Sequence, residues 1–269
     1  MIEHGIAERR LINMNYSELA KRLSKLTSEY FANAGFENAV VGLSGGLDSS
    51  TTAYLLADAL GEHRVIGVML PSHATSRQDL EHSHLVARSL GIDHCQFNIS
   101  DLAHSLSSRI HGHGLAPQDE LATGNITARL RAVCLYNLAA RSRALVVGTG
   151  DRSELLLGYF TKYGDGACDL LSLGSLYKTE VRELARTLGV PRQILEKPSS
   201  PSLWHGQTAE RELGSSYEKI DAILRLLVDK KMKPAAVAKR VRDAKLVESV
   251  QAMLAESGHK RKMPPILRP

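Results

Sequence analysis

The sequence predicts an α/β fold in which a parallel sheet carries helices on both faces. Short, continuously apolar runs at 39–43, 64–69 and 144–148 lack the polar alternation of a half-exposed strand. Segments of helical period separate them, which makes each connection a crossover between parallel strands. The length of 269 residues, with 43% hydrophobic and 23% charged residues, suits one large domain with a sizeable core.

The elements follow in chain order. Residues 16–34 form a helix, with Leu19, Leu23, Leu26 and Tyr30 at helical spacing. A strand at 39–43 leads to a helix at 49–60, closed by Gly61. A strand at 64–69 precedes a helix at 77–90, which starts near Thr75 or Ser76 and ends at Gly91. A strand at 94–98 and a helix at 101–110 come next, and 111–124 reads as a mobile connection. A helix at 125–141 feeds the strand at 144–148, and a glycine-rich stretch runs on to 174 with a short helix at 152–157. A helix at 176–188 stops at Gly189, and a second long connection covers 196–210, mobile over 198–210. Ser215-x-x-Glu218 is a capping-box pattern for a helix at 216–228, and Pro234 opens a last helix at 234–256. The tail 257–269 is basic, and no repeat or low-complexity linker divides the single domain 1–269.

Composition excludes several classes. No segment approaches the run of about 20 apolar residues that spans a membrane, and "MIEHGIAERR" has no apolar signal core. Cys95, Cys134 and Cys168 are scattered, with no CxxC pair, which fits buried thiols in a reducing cytoplasm. The net charge of +5 suits a nucleic acid or a polyphosphate substrate equally. With 5% aromatic residues there is no aromatic–basic stripe for stacking bases; composition alone leaves the choice open, and no nucleic-acid partner is expected once the motifs below are read.

The junction "VVGLSGGLDSSTTAYLL" (40–56) carries the first functional signal. Small residues between a strand and a helix expose backbone N–H groups at the positive end of the helix dipole, which makes an anion site. The GxxxxGK[ST] pattern and its lysine are missing, and Asp48 stands where phosphates would bind. A carboxylate there makes sense if a divalent cation lies between it and the phosphates. The plainer reading is a capping aspartate at a tight turn. In a parallel sheet this loop falls at the strands' carboxyl ends, where ligands bind.

Placed there, SGGLDS resembles the signature of the ATP-pyrophosphatase group, whose members cleave ATP between the α and β phosphates to adenylate a substrate. Amidotransferase synthetase domains, tRNA-thiolating enzymes and NAD synthetases share it. The stretch "GTGDRSELLLGYFTKYGDGACDLLSLGSLYKTEVRELARTLGVP" (148–191) closely resembles the ammonia-dependent NAD synthetase family. So do "GNITARLR" (124–131), "KPSSPSLWHGQTAERELGSSYEKID" (197–221) and "HKR" (259–261). The resemblance implies a Rossmann-like, adenine nucleotide alpha hydrolase-like fold and a homodimeric, Mg²⁺-dependent ligase. The reaction it implies is amidation of deamido-NAD (nicotinic acid adenine dinucleotide) by ammonia through an acyl adenylate, yielding NAD, AMP and pyrophosphate.

It also implies roles. Gly42, Leu43, Ser44, Gly45, Gly46, Leu47, Asp48 and Ser49 would form the ATP loop, joined by Thr149, Lys178 and Ser200. Asp48 and Glu154 would hold Mg²⁺ through hard oxygens. Arg129, Lys162, Asp169, His259 and Lys260 would grip deamido-NAD. Periodicity does not separate Arg129 from Arg131, which flank the apolar stripe equally; the resemblance selects Arg129. The chemistry also needs a group to accept a proton from ammonium, and Asp165 is the candidate, so Asp48, Glu154, Lys178 and Asp165 make up the expected catalytic set. The plain alternatives are a first-turn acid for Glu154, solvated lysines for Lys178 and Lys162, solvated charge for His259–Lys260, and a turn aspartate for Asp165. A lysine in a first helical turn is disfavoured by the dipole, and a nearby polyphosphate would offset that.

Two positions depart from the family pattern: Asp151, where asparagine is common, and Pro201-Ser202, where Ala-Gly is expected. Trp204 is open between a lid residue and simple packing. A tRNA-modifying adenylating enzyme is the competing class, favoured by the basic charge but short of paired cysteines. A nucleotide sensor without catalysis would be expected to lack Asp48 or Glu154, and both are present. No nitrilase-like Glu, Lys and Cys set is present for glutamine hydrolysis, so free ammonia is the leading donor, with a separate glutaminase partner left open.

Overall fold

The computed structural model describes residues 14–114 and 119–267. The expected connection 111–124 falls partly on 115–118, and the end of the tail on 268–269; both lie outside the described residues. Five strands form one parallel sheet: β1 Asn38–Gly42, β2 Val65–Met69, β3 Asp93–Gln96, β4 Ala144–Gly148 and β5 Leu170–Leu171. Their order is β3-β2-β1-β4-β5. The chain builds outward from β1 to β3, then returns to lay β4 on the other side of β1. That reversal opens a crevice at the carboxyl ends of β1 and β4. The two-residue β5 was not expected from the sequence, being too short to carry a periodic signal.

Alternation within the strands divides the core. Ala39, Val41, Leu145 and Val147 face one side, and Val40, Ala144 and Val146 the other. Helices α1 (Tyr16–Ala34), α2 (Leu47–Leu60), α3 (Arg77–Leu90), α4 (Ser100–His111), α5 (Glu120–Ser142) and α7 (Lys178–Leu188) cover the two faces, with the short helix α6 (Arg152–Leu157) between β4 and β5. Leu173, Val181 and Leu184 join the first face with α2, while Leu130, Leu135 and Leu138 of α5 close the second. A third apolar cluster, around Tyr177, Tyr217, Ile220, Val247 and Val250, belongs to the later helices. Those are α9 (Ala209–Leu213), α10 (Tyr217–Leu224), α11 (Pro234–Val241) and α12 (Ala244–Glu256), whereas α8 (Arg192–Leu195) adds Ile194 to the first cluster.

Several boundaries differ from the sequence reading. Helix α5 begins at Glu120, within the stretch expected to be a mobile connection, and Asp119 caps it by accepting from the Leu121 N–H at 3.0 Å. Gly124, placed by sequence at the end of that connection, lies inside the helix, and Leu203 packs on it so closely that an added Cβ would sit 2.9 Å from the Leu203 Cβ. The single helix expected at 234–256 is two. Arg242 turns left-handed at φ 57°, and Asp243 restarts the helix by accepting from the Leu246 N–H at 3.1 Å. Ser216, not Ser215, caps α10, and Arg225–Asp229 continues it as one wider π turn. Among the described residues, no helix is long and apolar enough to cross a membrane.

Candidate active site

β1 runs straight into the serine–glycine loop. The Leu43 N–H still donates to the Val68 carbonyl at 2.8 Å, and the chain then leaves the sheet. Gly45 takes φ +70°, and a Cβ there would lie 2.0 Å from the Asp79 carbonyl oxygen, so the turn admits only glycine. Ser49, 3% exposed, braces the loop from inside: its hydroxyl accepts from the Ser44 N–H at 3.2 Å and lies 2.9 Å from Ser44 Oγ. Gly46 caps α2 without a side-chain acceptor, which leaves the first N–H groups of that helix open toward the crevice.

Across the crevice, β4 ends at Gly148, and Thr149 and Gly150 lead into α6. Asp151 starts that helix with a capping box: it accepts from the Glu154 N–H at 2.8 Å, while Glu154 Oε2 accepts from the Asp151 N–H at 3.3 Å. Glu154 is thereby aimed at the loop. Lys178, at the first position of α7, reaches the same place. Its Nζ donates to Asp48 Oδ2 at 2.7 Å and Glu154 Oε1 at 2.8 Å, and lies 3.0 Å from Asp151 Oδ2. Far from a solvated lysine, it is 0% exposed, as is Asp151. Asp48 and Glu154 line the cleft, with Lys178 and Asp151 behind them.

Three carboxylates surround one ammonium, and the imbalance shows in the titration of Glu154 and Asp151. Burial pushes Glu154 up to about 7, with Lys178 pulling down and Asp48 adding to the rise. Burial likewise lifts Asp151 well above the usual carboxylate range. Burial opposes the Lys178 charge, yet Asp151, Asp48 and Glu154 together hold its pKa well above the ordinary value. Asp48 Oδ1 is buried without a hydrogen-bond partner among the described residues. Among the described residues no three acidic, imidazole or thiol groups close a metal cage. The lysine fills the centre of this cluster instead. An unpartnered carboxylate oxygen beside a glycine loop with open N–H groups fits a hard cation that carries phosphate.

The cleft has a volume of about 380 Å³ and continues from this cluster toward α5. There Asp165 accepts from the Thr161 N–H at 2.8 Å. Burial raises Asp165, the Thr161 bond and the Arg131 guanidinium working against it. Arg131 lines the cleft and donates to the Leu70 carbonyl at 3.2 Å, whereas Arg129 is exposed and outside the lining. The segment after Lys197 forms the remaining wall. Ser200 Oγ donates to the Gln207 carbonyl at 2.6 Å, and the Leu203 N–H donates to Gln207 Oε1 at 2.9 Å. Lys197 pairs with the buried Asp79. Thr149 and Ser200 both line the cleft.

The remaining expected residues fall in two groups. Lys162 donates to the His259 carbonyl at 2.9 Å, and Lys260 donates to the Gly158 and Phe160 carbonyls at 2.7 and 2.9 Å, so these three share one rim. His259 and Lys260 sit on a turn, Ser257–Arg261, that docks against α6 instead of trailing in solvent. Arg261 donates to the Leu155 and Leu156 carbonyls at 3.1 and 2.7 Å. Asp169 lies apart from the cleft. Its carboxylate accepts from the Val146 N–H at 2.8 Å and the Tyr136 hydroxyl at 3.2 Å. Sequence reasoning missed Arg131, Lys197 and the placement of Asp151. The Asp-x-x-Glu spacing at 151–154 was a usable capping-box signal; periodicity had left Arg131 level with Arg129, and nothing local pointed to Lys197.

A sequence model of the NAD synthase family matches residues 19–264. The chain is 45% identical to the NH(3)-dependent NAD(+) synthetase of Hyperthermus butylicus, covering 95% of this chain and 92% of that one. It is 42% identical to the enzyme of the same name from Thermococcus kodakarensis, covering 93% and 97%. Among solved structures it resembles an NMN synthetase from Francisella tularensis, with a TM-score of 0.84, 32% identity, and 95% and 99% of the two chains covered. An NH3-dependent NAD synthetase from Campylobacter jejuni, in complex with the nitrate ion, gives a TM-score of 0.79 at 29% identity, covering 95% and 100%.

Proposed function

Because the chain belongs to the NAD synthase family, we propose that it joins ammonia to the nicotinate carboxylate of deamido-NAD, consuming ATP and releasing AMP and pyrophosphate. The observation that carries this reading is the junction of an open anion loop with Asp48 and Glu154 at one end of a single cleft. A carboxylate is a poor electrophile toward ammonia. Attack of the substrate carboxylate on the α-phosphorus of ATP expels pyrophosphate and leaves an acyl adenylate, whose AMP is a good leaving group.

Each side chain has a part. The N–H groups from Ser44 to Ser49 cradle the phosphates. Asp48 and Glu154 would hold Mg²⁺, which when bound neutralises charge on the departing pyrophosphate. Lys178 holds these two carboxylates in place and contributes a fixed positive charge behind them. Asp165, with a pKa raised by burial, is suited to take a proton from ammonium in the part of the cleft shared with Arg131. Lys260, Lys162 and His259 border the dinucleotide end, Lys260 being the one that lines the cleft.

The acting unit is a homodimer. Arg129, Val133 and Tyr136 lie on one exposed face of α5, and Tyr136 holds Asp169. Beside it, α4 exposes Leu102, Leu106 and Ile110 in a stripe. A second copy covering this apolar face would bring Arg129 and Asp169, outside this chain's own cleft, against a dinucleotide. Incubation with ATP, Mg²⁺, ammonium and deamido-NAD should yield NAD, AMP and pyrophosphate in equal amounts. ADP and phosphate as the stoichiometric products would overturn the proposal. The likeness to an NMN synthetase makes nicotinate mononucleotide the necessary parallel substrate. The dinucleotide should be the better of the two.

A further inference from the structure

Behind the lysine and its three carboxylates lies another buried carboxylate, which does not line the cleft. Asp221, on α10, is 1% exposed. Its Oδ1 accepts from Ser153 Oγ at 2.5 Å, and its Oδ2 accepts from the Thr179 N–H at 2.9 Å. Ser153 Oγ in turn accepts from the Lys178 N–H at 3.0 Å. The directions are consistent: two adjacent N–H groups of α7 and one hydroxyl of α6 all point, directly or in relay, at one carboxylate.

The arrangement completes a local cap, in which Glu180 accepts from the Tyr177 N–H at 2.9 Å. The first N–H groups of any helix lack partners within it, and here α7 receives them from α6 and α10. Ser153 immediately precedes Glu154, and Thr179 immediately follows Lys178. Asp221 therefore holds the two backbone segments from which Glu154 and Lys178 project. Four residues on, Arg225 makes a second tie from the same chain segment, pairing with Glu180 of α7 at 2.9 Å and lying over the Tyr177 ring at 4.3 Å. Charged acceptors make the stronger hydrogen bonds. Asparagine would turn one acceptor into a donor, and alanine would strand a buried hydroxyl and a buried N–H.

We propose that Asp221, acting through Ser153, is a positioning residue for the amidation, setting Lys178 and Glu154 in register with Asp48. The inference rests on the proposed function. Its test is the kinetics of Asp221→Asn and Ser153→Ala, each alone and in a Lys178→Gln background. Misplacing the lysine should lower kcat roughly tenfold to a hundredfold, with KM for deamido-NAD changed by less than about twofold. In the Lys178→Gln background the same substitutions should cost less than about twofold more, since residues acting as a unit are non-additive. An equal loss in both backgrounds overturns the proposal, as does an unchanged kcat in either single variant. Ser153→Ala removes one hydroxyl only and carries the test if Asp221→Asn does not fold. Failure of the unaltered enzyme to amidate either nicotinate substrate strikes the proposed function and this inference together. An active enzyme with indifferent variants strikes the inference alone.

Discussion

Asp48 gives Oδ2 to Lys178 and leaves Oδ1 buried without a partner among the described residues, while Glu154 divides its oxygens between Lys178 and the start of its own helix. If both hold one cation, Asp48→Asn and Glu154→Gln should each abolish AMP formation, and the double substitution should be no worse than either. Near-normal initial rates in one single variant would place the cation elsewhere. The thiols supply a second check at this scale. Burial raises Cys95 and Cys134 and pushes Cys168 up to about 11, so little thiolate exists at neutral pH. Iodoacetamide at neutral pH should leave activity intact. Inactivation by one equivalent would instead favour cysteine-dependent tRNA chemistry. The loop residues were legible because their signal is local: glycine, serine and aspartate at one strand–helix junction. The burial of Lys178 was not, because it depends on two carboxylate-bearing loops far from it in sequence.

Helix α6 has six residues, too few to be stable by itself. It is held by the Asp151–Glu154 box at its start and by Arg261 near its end, where the guanidinium meets carbonyls left open by the helix. Arg261→Ala should lower stability by about 1–3 kcal/mol in denaturant titration. It should also raise KM for deamido-NAD, because Lys260 is carried on the same turn. Stability loss with unaltered KM would separate the turn from substrate binding. The helix start at Ser76 was readable from its side-chain cap, but those capped by Asp119 and Asp243 were not. Nor were breaks imposed by packing. Gly124 stays helical with Leu203 packed on it, and the left-handed Arg242 carries no glycine to announce it.

For the molecule as a whole, the parallel sheet was foreseeable from apolar strands between helices, but its order was not, since no local pattern says that β4 returns beside β1. The proposed second copy gives the fold a consequence for assembly. Leu106→Glu, in the middle of the exposed α4 stripe, should yield monomers in sedimentation analysis and weaken deamido-NAD binding while the fold persists. A Leu106→Glu protein that remains dimeric would move the interface to another face.

The docking of Ser257–Arg261 against α6 bears on how the protein comes into being. Every strand of the sheet has been synthesised long before these residues leave the ribosome. Lys260, however, is part of the cleft wall. A nascent chain can therefore assemble its sheet and phosphate loop while its substrate site still lacks that cation. A chain ended before residue 257 would keep every strand of the sheet but lose both Lys260 from the cleft wall and the Arg261 bonds to α6, the helix that carries Glu154.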